Sequence, residues 1–161
     1  MEELTKLPSD KQALLDVKNY EVYNRDVIRK VFPRIIKDIR ELKPKLKIGD
    51  IIPFYIVLLT YIDGNVYRKD GTPNNRFGAC FLSRDAIADH TGIDKKRHAF
   101  LSKILEVNGL ITTKSHYEGT NRYKWYFPSF CPQVTDEGYV VNTDGEVIVP
   151  NYSDVKFPSY R

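Results

Sequence analysis

Residues 51–62, IIPFYIVLLTYI, are apolar on nearly every side of any helix they form. The run falls well short of the roughly 18 apolar residues a membrane-spanning helix needs. Such a run is expected of a helix buried in a core. Asp50 stands where it caps such a helix, and Asp63-Gly64 stops it. A chain of 161 residues has the size of one ordinary domain, or of one domain carrying extensions. With 42% hydrophobic and 29% charged residues it lies near the globular average, which excludes wholesale disorder.

Residues 10–42 read as helical before that run. Leu14, Leu15, Val17, Val27, Ile28, Val31, Ile35, Ile36, Ile39 and Leu42 recur at three- and four-residue spacing. Pro33 interrupts the pattern, which predicts a kink or two helices. Between residues 29 and 47 stand eight basic residues (Arg29, Lys30, Arg34, Lys37, Arg40, Lys43, Lys45 and Lys47), opposed only by Asp38 and Glu41. They form either a solvated helix face or an arm that contacts phosphates.

After the apolar helix comes a polar loop with Gly71, Pro73, Asn74 and Asn75, then a short strand-like run at 79–82. Ser83 has the chemistry to cap a short helix through His90, with Ile87 and Ala88 inward and Gly92 allowing a tight turn. Asp94 caps a second helix over 95–108, which Gly109 ends. Residues 110–117 and 123–127 are strand-like and joined by a turn at 118–121. Further on, Asn142-Thr143-Asp144-Gly145 between 139–141 and 147–149 predicts another hairpin. The segment beyond Pro150, with Tyr152, Phe157 and Tyr160, reads as extended chain packed on its own domain or on a partner. The fold class expected is α+β, mainly helical, in three stretches: a helical extension over 1–48, a central domain over 49–127, and an acidic, aromatic hairpin and tail over 128–161.

Charge and motifs narrow the function. Residues 1–75 carry 14 basic and 11 acidic side chains, residues 76–127 carry 9 and 5, and residues 128–161 carry 2 and 5. A basic body suits an anionic partner, although a net charge of +4 decides nothing alone. Cys80 and Cys131 form no CxxC or Cys/His cluster, which argues against a disulfide framework or a zinc site. Neither a secretory leader nor a membrane span is expected, and a reducing cytoplasm is the simplest setting. No GxSxG, P-loop, Rossmann or HExxH pattern occurs, and His90, His98 and His116 fall on three separate elements. No enzymatic activity, metal or cofactor is expected.

A helix whose residues 101, 104, 105 and 108 face the core exposes Lys95, Lys96, Ala99, Ser102, Lys103 and Glu106 on the other side. Arg97 lies at the margin of the buried face and can turn either way. The sequence FLSRDAIADHTGIDKKRHAFLSKILEVNGLITTKSHYEGTNRYKWYF, over 81–127, resembles the winged helix-turn-helix family. Ser83 matches its capping position, Thr91-Gly92-Ile93 its turn, Asp94 the cap of its recognition helix, and Asn108-Gly109-Leu110-Ile111 the entry to its wing. One departure is His98, where the family usually has an aliphatic core residue; it is either packed and hydrogen-bonded or available to read bases.

The resemblance implies duplex DNA binding in transcription regulation or in plasmid or phage replication. The second helix would enter the major groove, and the wing would meet the backbone or minor groove. DNA contacts would then come from Ser83 and Arg84 at the first helix, from Lys95, Lys96, Arg97, Ala99, Ser102 and Lys103 on the second, and from Lys114, Asn121, Arg122 and Lys124 on the wing, with His116 nearby. The N-terminal extension would serve a homodimer or a second DNA contact. The other reading is a protein-interaction adaptor on the same scaffold, with the acidic tail recruiting a partner protein.

Overall fold

A computed structural model describes residues 23–129 and 132–159. The helical reading of 10–22, together with Cys131 and Tyr160, lies outside the described residues. Within them the fold is α+β, with four α-helices and two small antiparallel hairpins. The helices are α1 (Phe32–Leu42), α2 (Ile51–Thr60), α3 (Arg84–Thr91) and α4 (Lys95–Val107). The strands are β1 (Ile111–Glu118), β2 (Asn121–Pro128), β3 (Gln133–Val134) and β4 (Val140–Val141).

The interruption expected at Pro33 takes a specific form. Proline has no N–H, and its ring crowds the carbonyl four residues earlier. The preceding turn, Val27–Val31, widens into π-helix, with the Phe32 N–H reaching the Val27 carbonyl. Pro33 then sits in the first turn of α1, where a missing N–H costs nothing. Val27, Val31, Phe32, Ile35 and Ile39 form the buried face that results.

Helix α2 fills the centre. Ile51, Phe54, Tyr55, Val57, Leu58 and Leu59 are buried, and α2 packs against α3, α4 and β2. Phe54 meets the ring of Tyr126 edge-on at 6.2 Å, and Tyr55 meets Phe32 at 5.5 Å. Two expectations need correcting here. The helix ends at Thr60, two residues short of Ile62, as Tyr61 leaves helical geometry. The Asp50 side chain makes no capping bond. It is drawn instead to a cation on α4 (Arg97 Nε to Asp50 Oδ2, 2.6 Å), which a carboxylate prefers to a neutral backbone N–H.

Strands β1 and β2 pair in register from Ile111↔Pro128 to Glu118↔Asn121, closed by Gly119 at φ 63. The run at 79–82 contributes a single bridge, with Cys80 and Tyr126 exchanging both backbone bonds at 2.6 and 2.9 Å. Cys80 is fully buried there, and burial raises its thiol pKa.

The segment after Pro128 packs on its own chain; for the part beyond Pro150 this is one of the two alternatives open from sequence. Arg34, on α1, is the hinge of that packing. Its Nε donates to the Gly138 carbonyl (2.9 Å), its Nη1 to Asp38 (2.6 Å) and its Nη2 to Asn108 at the end of α4 (2.7 Å). The guanidinium carbon lies 4.4 Å from the centre of the Tyr139 ring, and the Tyr152 hydroxyl donates to Asp38 (2.7 Å). Gly138 is obligatory: its φ is +92, and a Cβ there would stand 2.4 Å from the Lys30 carbonyl oxygen. Val140 and Val155 join the core, and Phe157 packs on Phe100 at 5.8 Å. The hairpin expected over 139–149 is reduced to the bridge Val141↔Val147. On its other edge Val140–Val141 forms a ladder with Gln133–Val134.

Candidate nucleic-acid interface

Helices α3 and α4 are set by local capping. The Ser83 hydroxyl accepts from the Ala86 N–H (3.1 Å), and the Asp94 carboxylate accepts from the Lys96 N–H (2.9 Å). Between them Gly92 takes a left-handed conformation, φ 71, that turns the chain sharply. Ile87 on α3, Leu101, Ile104 and Leu105 on α4, and Asn108 just after α4 are fully buried. His98 is buried as well, with Nε2 3.1 Å from the Ile93 carbonyl. The packed alternative is thus the one adopted. Nδ1 has no partner, and desolvation lowers the imidazole pKa, which keeps the ring neutral.

The opposite face of α4 is polar, with its cations unequally engaged. Lys95 is exposed and pairs with Asp85 in the first turn of α3. That ammonium holds the Asp85 carboxyl below the ordinary carboxylate range. The contact also brings the amino ends of the two helices together. Lys96 and Arg84 are exposed and have no ion-pair partner among the described residues. Ala99 is exposed, so the α4 backbone there is open to close approach. Lys103 is half-buried and pairs with Glu106 at 3.5 Å.

One residue of the expected stripe differs from the sequence reading, and Arg97, which that reading left open, takes one direction. Ser102, expected on the exposed face, is 1% exposed. It bonds to the Ala99 carbonyl and accepts from the Lys124 ammonium, which reaches it from β2, at 2.9 Å. Arg97 turns toward α2, gripping Asp50 with Nε and Nη2 (2.6 and 3.0 Å) and donating to the Lys47 carbonyl at 3.1 Å. It thereby docks the basic 43–49 segment beside the amino end of α4.

On the hairpin, Lys124 is half-buried against α4, and burial lowers its ammonium pKa against the opposing pull of Glu106. Lys114, Asn121 and Arg122 are exposed, with the Arg122 Nε on the Ser115 hydroxyl at 3.1 Å. Sequence reasoning passed over the cover on the far face of the hairpin. Residues 63–76 fold against it, and the Arg76 guanidinium lies 4.9 Å from the Phe81 ring and 5.7 Å from the Trp125 ring. The available signal was the run Tyr67-Arg68-Lys69 with Arg76 close behind, unusually cationic and aromatic for a turn-rich loop.

Among the described residues no group of three or more His, Cys, Asp or Glu side chains could hold a metal ion. Nor is any described helix long and apolar enough to cross a membrane. No family model and no curated protein matches the chain. Among solved structures, the chain is similar to one described as "N-Terminal domain of DNA binding protein". The likeness has 17% identity, covers 83% of this chain and 90% of that chain, and has a TM-score of 0.42.

Proposed function

We propose that this chain is a winged-helix protein that binds duplex DNA, with α4 in the major groove and the β1–β2 hairpin against the backbone or minor groove. The observation that carries this reading is the cluster of Arg84, Lys95 and Lys96 where the amino ends of α3 and α4 meet. The amino end of each helix carries a partial positive charge, which suits phosphates. Lys96 and the small Ala99 are placed to approach base edges. Lys114 and Arg122 on the hairpin add phosphate or minor-groove contacts. The adaptor reading has less support. Tyr152, Val155 and Phe157, which a partner would need, are engaged with Asp38, the core and Phe100.

A salt titration of duplex binding tests the reading. Neutralising about 4–6 phosphates gives a log–log slope of about −4 to −5. Lys96→Ala should narrow the gap between a selected site and a scrambled duplex, by about 1–3 kcal/mol for a guanine contact. Arg122→Ala should weaken both by similar factors. Failure to bind any duplex of a random library at about 50 mM salt would refute the proposal.

A further inference from the structure

An open cavity of about 700 Å³ lies between the 63–76 loop and the outer face of the β1–β2 hairpin, on the side of that hairpin away from α4. Its size falls within the range of about 300–1,000 Å³ typical of small-ligand sites. The walls combine two kinds of chemistry. Arg68, Lys69 and Arg76 supply positive charge, while the exposed Tyr67 and the half-buried His116, backed by the buried Trp125, supply ring surface. Tyr67 is 65% exposed, so its ring face is available. His116 stacks on Trp125 with centroids 4.5 Å apart and planes 21° from parallel, a platform already built for one more ring.

The acids nearby are largely occupied. Asp63, the one carboxylate in the wall, accepts from the Asn65 N–H and the Asn74 amide. Glu118 sits 3.5 Å from the His116 Nε2 and 4.0 Å from Arg76, bridging the two. Arg68 is braced by Asn75 at 2.7 Å with Asp70 near it in the same turn, and Lys69 is exposed. With Arg76 matched by Glu118, the exposed Arg68 and Lys69 are the cations that suit an anion on the open side. Rings select a flat partner, and Asn65 and Asn74 can hydrogen-bond a base edge.

We infer that this cavity holds a nucleotide of single-stranded nucleic acid, with the phosphate on Arg68 and Lys69 and the base against Tyr67 and the His116–Trp125 platform. A base within a duplex has both faces covered by its neighbours and cannot enter such a cleft, whereas an unstacked base can. The inference goes beyond duplex binding by α4 and does not depend on it. A protein with both surfaces would bind where duplex and single strand meet.

The test uses the whole chain and a fluorescently labelled oligothymidylate of about eight nucleotides, a length suited to single-strand sites. Anisotropy reports binding, and Trp125, the only tryptophan, reports the site directly through its quenching. The expected result is saturable binding with Trp125 quenching, weakened about tenfold by the double variant Tyr67→Ala/Arg68→Ala. Lys69→Glu, on the same exposed loop, should weaken it as well and stands in if the double variant does not fold. Lys96→Ala should leave oligothymidylate binding unchanged while weakening duplex binding, so the two surfaces can fail separately. The inference is overturned if the oligonucleotide does not bind, if neither loop variant weakens it, or if inorganic phosphate alone quenches Trp125 to the same extent.

Discussion

Arg34 offers the sharpest test of how the acidic tail is held. Its side chain is 8% exposed, and it serves Gly138, Asp38 and Asn108 at once. Arg34→Ala leaves the Asp38 carboxylate without its cation, and strands the Oδ1 of a fully buried Asn108 and the Gly138 carbonyl. Breaking a buried pair costs about 3–5 kcal/mol, and each stranded acceptor about 1–3. These do not add, because water enters the vacated space and Asp38 is already 23% exposed. The net expectation is a loss of about 3–5 kcal/mol. At about 2–4 °C per kcal/mol, Tm falls by about 6–20 °C. Urea unfolding and thermal melts followed by circular dichroism measure both. Arg34→Lys keeps the charge but cannot reach three acceptors, so it should fall between wild type and alanine. A double-mutant cycle with Asp38→Asn should give a coupling of at least about 1 kcal/mol. If Arg34→Ala stays within about 1 kcal/mol of wild type, the tail is not held by this network and the reasoning fails.

On α4, Leu105→Ala should cost about 2–5 kcal/mol, since Leu105 is fully buried. Lys103→Ala breaks only a partly exposed pair with Glu106 and should change stability by less than about 0.5 kcal/mol; equal urea midpoints for the two would mean the faces are misassigned. His98 adds a pH dependence. Its folded pKa is depressed, chiefly by desolvation, below the ordinary 6.5 that it regains on unfolding. In that window the unfolded chain binds more protons, so this contribution is intact above about pH 6.5 and is lost as pH falls toward the folded value. His98→Leu should flatten the fall in Tm between about pH 7.5 and 5, and an unchanged slope would assign the effect to other groups.

Much of the local architecture was present in the sequence. The caps at Ser83 and Asp94, the left-handed Gly92 and the end of α4 near Gly109 depend on contacts within a few residues, so side-chain type and spacing suffice to find them. The burial of α2 followed from having no polar face to show to water. Where several partners were locally compatible, only packing chose among them. Asp50 could cap α2 or meet a cation, and Arg97, 47 residues away, took it. Ser102 had the spacing of an exposed residue until β2, 22 residues on, brought Lys124 over it. The valines of β4 bridge Val147 on one edge as the local turn predicts, but the ladder with β3 on the other comes with the packing in which Arg34 reaches 104 residues to Gly138. The cavity beside Trp125 belongs to this second class. Its cations and rings come from a loop and a hairpin whose meeting no local pattern encodes, because the energy that joins them is gained only once both surfaces exist.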